Sequence, residues 1–190
     1  WMKLPIISAS SNLRPMAKLP RSFYHRPTLE VAPDLLGKTL VRVNNKNVTA
    51  GKIVEVEAYR NSDDPASHAY RGLTPRNALM FGEAGHAYVY FIYGMYFCVN
   101  VVTEKRGVAG ACLIRALEPI EGIDIMKKRR RVDGLHDLAN GPGKLCLAMA
   151  IDKKLHGSDF MGDTLFILDS DENVKIRRSP PVTARVRAGT

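Results

Sequence analysis

Apolar and polar positions alternate over Thr39 to Val43 and again over Lys52 to Tyr59, and Asn44, Asn45 and Asn47 separate the two runs. Runs rich in Val and Ile around an asparagine-rich break predict two strands joined as a hairpin. In the second strand a period of two puts Ile53, Glu55, Glu57 and Tyr59 on one face and Val54, Val56 and Ala58 on the other. The all-apolar face is assigned to the core. Two carboxylates and a phenol then share the opposite face of an otherwise hydrophobic strand.

Residues 60–86 include Asp63, Asp64, Pro65, Gly72, Thr74, Pro75, Gly82 and Gly85 and show little periodicity. Connections this long in a small domain are functional or disordered. Strands return at Tyr88 to Tyr93 and Met95 to Val102, joined at Gly94, and then at Ala111 to Leu117. Helical spacing is legible only afterwards. Pro119, Ile120, Ile123 and Met126 fit a helix with proline in its first turn and Lys127 to Arg131 at its C-terminal end. Pro142 to Ile151 fits a second helix with Leu145, Ala148 and Met149 inward, and Thr164 to Leu168 and Val182 to Val186 read as late strands. The expected fold class is α+β: a single domain, mainly an antiparallel curved sheet with a protruding β-hairpin and flanking helices. Order is expected from about Arg21, so residues 1–20 are read as a loosely ordered leader and residues 21–190 as the domain.

Composition narrows the class. With 190 residues, 45% hydrophobic and 25% charged, the chain has enough apolar residues for a core and is neither disordered nor fibrous. The uncharged stretch between Glu83 and Glu104 raises the question of a membrane span. Tyr88, Tyr90, Tyr93 and Tyr96 crowd its middle, where spanning helices do not place tyrosine, and Gly94 interrupts it. A hairpin explains these residues better, and no membrane association is expected. Cys98, Cys112 and Cys146 are three, widely spaced and without a CxxC pair, so neither a disulfide framework nor a zinc cluster is indicated. The five histidines show no HxxxH or HExxH spacing, so the expectation is no metal and no cofactor. The net charge of +9 is spread over both halves of the chain and suits a docking face for a polyanion, although solubility alone would account for it.

Each chemical candidate has a plain structural counterpart. Glu57 is either a partly desolvated general base or a solvated strand glutamate beside Glu55. Arg115 lies in an apolar strand and needs a carboxylate, with Glu57 and Glu118 as the options. Tyr93, Met95 and Tyr96 at a hairpin tip would make a wedge for a minor groove, with Tyr90 offering a stacking face further back. The same tyrosines would also serve to cap a core. His68 sits in the polar loop, where most histidines are simply exposed.

Taken together, Val54-Glu55-Val56-Glu57-Ala58-Tyr59, Ser67-His68, Thr74-Pro75-Arg76-Asn77 and the run from Tyr88 to Asn100 resemble the alkyladenine (3-methyladenine) DNA glycosylase family of the mammalian type. Leu113 to Pro119 and Gly141 to Cys146 extend the resemblance, which covers roughly residues 21 to 187. It implies a monofunctional glycosylase of base excision repair that flips alkylated or deaminated purines out of duplex DNA and hydrolyses the N-glycosidic bond. By resemblance Glu57 is the general base and Arg115 helps to hold the water. Tyr59, His68 and Tyr90 stack on the base, and Asn100 screens the pocket against the amino group of guanine. Tyr93 intercalates, with Met95 and Tyr96 beside it on the DNA. No lysine stands in a matched nucleophile position, so strand cleavage is not implied. The partner is double-stranded DNA with damaged purines, bound by a monomer in a nucleus or a bacterial cytoplasm, not outside the cell. The family continues past the strand matching Val182 to Arg187 with a glycine-rich, aromatic segment, which sets the expectation of a C-terminally shortened domain. A catalytically silent damaged-DNA binding protein using the same wedge is the alternative. A zinc deaminase would need HxE and PCxxC signatures and an RNA module an RNP-type motif, and the chain has neither.

Overall fold

The computed structural model describes residues 16–61, 63–170, 175–178 and 184–188. Every strand pairing in it is antiparallel, and all the strands join one sheet. The strands are β1 (Thr39–Asn44), β2 (Asn47–Tyr59), β3 (Ala87–Ile92), β4 (Tyr96–Val102), β5 (Ala111–Glu121), β6 (Leu165–Leu168), β7 (Ile176–Arg178) and β8 (Ala184–Ala188). The order across the sheet is β3-β4-β5-β2-β1-β6. The β2 strand is long enough to change neighbours: β1 borders it from Asn47 to Lys52, and β8 takes that side from Glu55 to Ala58. The chemically loaded end of β2 is therefore central in the sheet.

The helices are α1 (Arg21–Tyr24), α2 (Thr28–Leu35), α3 (Ile123–Arg130) and α4 (Pro142–Met149). Both α2 and α4 press on one face of the sheet, where Val31, Leu35, Leu145 and Met149 meet Val56, Ala58, Val89, Val99, Val101 and Ile114 in the main core. The opposite face carries a second cluster of Ala69, Met80, Tyr88, Val102, Ala109 and Ala111. Among the described residues no helix is long and apolar enough to cross a membrane. The architecture is the α+β, curved antiparallel arrangement expected, with the β3–β4 hairpin running out to an exposed tip.

Several local expectations change. Helices come before the strands as well as after them, because α2 is started by a distant group: the Glu104 carboxylate accepts from the Thr28 N–H at 2.6 Å and from its hydroxyl at 2.8 Å. Pro119 belongs to β5 and not to a helix. The β4 ladder covers β5 only at Ala111 to Leu113, so Pro119 leaves no bond unmade on that side, and α3 starts after Gly122 at φ +71. Ile53 also leaves the face assigned to it and enters the helix-side core with Val56 and Ala58, while Val54 is partly exposed. The β2–β5 register slips at Glu55 and recovers at Val56, so Val54 and Arg115 fall outside the ladder and the alternation reverses across the irregularity.

Residues 17–19 run along β6, with the Leu19 N–H on the Ile167 carbonyl and the Asp169 N–H on that of Ala17. The leader expectation for residues 1–15, and that of a strand at Val182 and Thr183, lie outside the described residues.

Candidate active site

Register aligns the site. Glu57 pairs with Leu113, Leu113 with Asn100, and Asn100 with Tyr88, so four strands contribute one lateral row. Directly paired residues project to the same side of a sheet. Here that side is the one away from α2 and α4. Beside this row stand Tyr59 on β2 and Tyr90 on β3.

Glu57 is buried, at 6% exposure, so it is not the solvated glutamate of the structural alternative. A carboxylate taken out of water costs several kcal/mol, roughly, unless partners replace the solvent. Arg115 Nη1 lies 3.1 Å from Glu57 Oε1, and the Tyr59 hydroxyl donates to Oε2 at 2.8 Å. The same guanidinium donates from Nε to Glu55 Oε1 at 3.1 Å. Glu118, the other partner considered for Arg115, instead faces Lys52 at 3.5 Å. Arg115 thus joins two carboxylates of one strand, an arrangement allowed by the irregularity that brings it beside both.

Next to Glu57 and Tyr59 opens a cleft of about 200 Å³, lined by Tyr59, Ala66, His68, Met80, Tyr88, Tyr90, Ile92 and Asn100. Its walls are aromatic faces: His68 stands edge-on to Tyr90 at 4.6 Å between ring centroids, and Tyr88 lies 5.4 Å from Tyr90. His68 Nδ1 and the Tyr88 hydroxyl are hydrogen-bonded at 3.0 Å. Burial lowers the His68 pKa below its usual 6.5, and the charge of Arg76 pushes the same way, so the ring is neutral at neutral pH. Burial raises the phenols of Tyr59, Tyr88 and Tyr90, which keep their protons. On the floor, the buried Asn100 donates from Nδ2 to the Tyr88 carbonyl at 3.0 Å, which fixes its amide. Cys98 pairs with Tyr90 across the β3–β4 ladder, and burial raises its thiol.

The loop leading from β2 is held by its own side chains. Asp64 accepts from the N–H groups of Ala66 and Arg60, and Ser67 Oγ accepts from Ala69 N–H. Asn77, 1% exposed, donates to the carbonyls of His68 at 2.8 Å and Gly72 at 2.9 Å and accepts from Thr74 N–H at 2.6 Å. That one amide ties both arms of the loop together and keeps His68 on the cleft.

At the hairpin tip Tyr93 and Gly94 both have positive φ, +52 and +67, and Met95 N–H returns to the Ile92 carbonyl. Tyr93 is 83% exposed and Met95 65%, while Tyr96 covers Gly143 at the start of α4. Left-handed backbone at a bulky residue costs about 1–2 kcal/mol, and no packing of the ring offsets it here.

All nine residues singled out from the sequence therefore lie in one region: Glu57 and Arg115 in contact, Tyr59, His68, Tyr90 and Asn100 on the cleft, and Tyr93, Met95 and Tyr96 on the ribbon that leaves it. The sequence reading missed Glu55 as a partner of Arg115, and Ala66, Met80, Tyr88 and Ile92 as lining. Strand parity would have found Tyr88, which shares a face with Tyr90. Among the described residues no group of three or more His, Cys, Asp and Glu is placed to hold a metal.

Comparison with known proteins places the chain among the DNA glycosylases, which are enzymes. It belongs to the methylpurine-DNA glycosylase (MPG) family, whose model matches residues 22–188. A relative from Methanocella arvoryzae is 53% identical over 169 residues, covering 88% of this chain and 84% of its own. One from Carboxydothermus hydrogenoformans is 54% identical over 156 residues, 82% of this chain and 81% of its own. A third, from Clostridium acetobutylicum, is 52% identical over 159 residues, 79% and 78%. All three carry the name "Putative 3-methyladenine DNA glycosylase". None of these relatives is mammalian.

Proposed function

We propose that the chain is a monofunctional glycosylase that extrudes alkylated or deaminated purines from duplex DNA and hydrolyses their N-glycosidic bonds. The observation that carries the proposal is the buried Glu57 carboxylate, fixed by Arg115 and by Tyr59, whose ring lines an aromatic cleft of about 200 Å³.

The chemistry follows from that placement. A base swung out of its stack enters the cleft and stacks against the aromatic side chains of Tyr59, His68 and Tyr90, which returns about 1–3 kcal/mol against the few kcal/mol, roughly, spent on extrusion. Tyr93, at the end of the same β3 strand that carries Tyr90, fills the gap left in the duplex. Glu57 accepts a proton from a water as the water attacks the sugar C1′. The bond to the base loosens through an oxocarbenium-like state, and Arg115 orients the carboxylate and the water. Asn100, its amide fixed by the Tyr88 carbonyl, meets the edge of the base and disfavours an added amino group. No lysine lines the cleft among the described residues, which supports hydrolysis without a Schiff base. The products are free base and an abasic site, and the enzyme acts as a monomer. The named relatives come from bacteria and archaea, whose DNA lies in the cytoplasm, and that is the compartment proposed.

The deciding experiment compares the unaltered chain with Glu57→Gln on duplexes carrying hypoxanthine or 1,N6-ethenoadenine. Base release by the unaltered chain, with release by Glu57→Gln reduced at least a hundredfold and duplex binding retained, is expected. Equal release by both removes the general base. Binding without release by the unaltered chain identifies a silent damage binder instead.

A further inference from the structure

The cleft accounts for a base, but a base enters it attached to a sugar and two phosphates, and nothing described so far receives those charges at its mouth. The loop pinned by Asn77 carries His68 on the cleft and exposed side chains on either side of it. Arg71 and Arg76 are exposed on it, and neither has an ion-pair partner among the described residues. Arg76 is the one tied to the cleft. It immediately precedes Asn77, whose amide is bonded to the His68 carbonyl at 2.8 Å, and its charge is felt at both His68 and Tyr88, two lining residues.

Its backbone is also fixed. Thr74 N–H bonds Asn77 Oδ1, Asn77 N–H returns to the Thr74 carbonyl and hydroxyl, and the short turn Ala78–Phe81 follows at once, with Met80 buried under the cleft. A cation on a rigid segment gives up little backbone entropy when it takes a ligand. A guanidinium presents a planar fork that matches the oxygens of a phosphate.

We propose that Arg76 is a phosphate-binding residue that holds the DNA backbone at the extruded nucleotide, from the loop that carries His68. This rests on the glycosylase reading and adds to it a second grip. The hairpin would enter the duplex while the 66–77 loop takes the backbone of the nucleotide that leaves it. The ligand is a DNA phosphodiester, read without regard to the base.

The test is equilibrium binding, across a salt series, to a duplex with a tetrahydrofuran abasic-site analogue, for the unaltered chain, Arg76→Gln, Arg76→Lys and Lys46→Gln. Lys46 is an exposed residue of the β1–β2 turn, at the far end of β2 from Glu57. One lost phosphate contact lowers the slope of log affinity against log salt by about 0.9. We expect that drop and a several-fold loss of affinity for Arg76→Gln, partial retention for Arg76→Lys and no change for Lys46→Gln. An unaltered chain that releases base while Arg76→Gln keeps the parent slope and affinity overturns this assignment and leaves the glycosylase reading standing. A chain that neither releases base nor prefers the abasic duplex overturns both.

Discussion

The Tyr59 hydroxyl donates a 2.8 Å hydrogen bond to Oε2 of Glu57, two residues back on the same face of β2. The bond does two things. It engages the Glu57 oxygen other than the one paired with Arg115 Nη1, and it ties down a ring that forms part of the cleft wall. Stacking surface and proton acceptor are thereby held in one rigid unit.

Replacing Tyr59 with Phe separates the two roles, because the ring stays and the hydrogen bond goes. A hydrogen bond to a charged group is worth about 1.5–3 kcal/mol. Single-turnover base release should therefore fall roughly ten- to a hundredfold, while affinity for an abasic-site duplex stays within about twofold. The pH dependence has a definite sign. Burial first, then the charge of Glu57 and the bond to it, raise the phenol well above its usual 10.0. Tyr59 keeps its proton up to pH 10 and beyond, so no alkaline loss of activity below that pH arises from it. A rate profile in which Tyr59→Phe removes an alkaline limb present in the parent would contradict the bond.

How much of this was legible in the sequence depends on whether local alternation held. It held at the end of β2, where Glu57 and Tyr59 share one face, while the place of Tyr90 and Asn100 on that face follows from the β3–β4–β5 register, which no alternation had assigned. It failed where the chain steps out of register. The paired irregularities at Val54 and Arg115 carry Ile53 into the core and let one guanidinium serve Glu55 and Glu57, and no period of two announces a register slip. Long-range caps were equally silent. Glu104 starting α2 from 76 residues away is a tertiary contact, and Pro33 inside the helix argues locally against what that contact supports.

That cap can be tested by stability. Glu104, Thr28 and Thr103 close around Gly110, where an added Cβ would meet Thr28 Oγ1 at 2.4 Å and Glu104 Cγ at 2.5 Å. Glu104→Ala leaves the first N–H of α2 unpaired in a part-buried site and should lower the unfolding free energy by about 1–2 kcal/mol. Gly110→Ala should cost at least as much by collision. The two should not add, because removing the Glu104 side chain clears one of the atoms the new methyl would strike. Urea unfolding of both singles and the double decides it, and strict additivity would mean that the four residues do not act as one cluster.

The hairpin tip gives the opposite relation between stability and function. At φ +52, Tyr93 adopts a backbone that asparagine tolerates far better, and its ring is 83% exposed, so the fold gains little from it. Tyr93→Asn should therefore leave the unfolding free energy unchanged or raise it, by up to about 1 kcal/mol. On the proposed reading, the same change removes the ring that fills the vacated position in the duplex. Extrusion must then be sustained by stacking in the cleft alone, so base release should fall most for lesions that remain well paired, such as hypoxanthine opposite cytosine, and least for bases already mismatched. A cost of more than about 1 kcal/mol in stability would mean that the ring is packing against the fold. Equal loss on paired and mismatched lesions would mean that the tip contributes to binding without holding the nucleotide out.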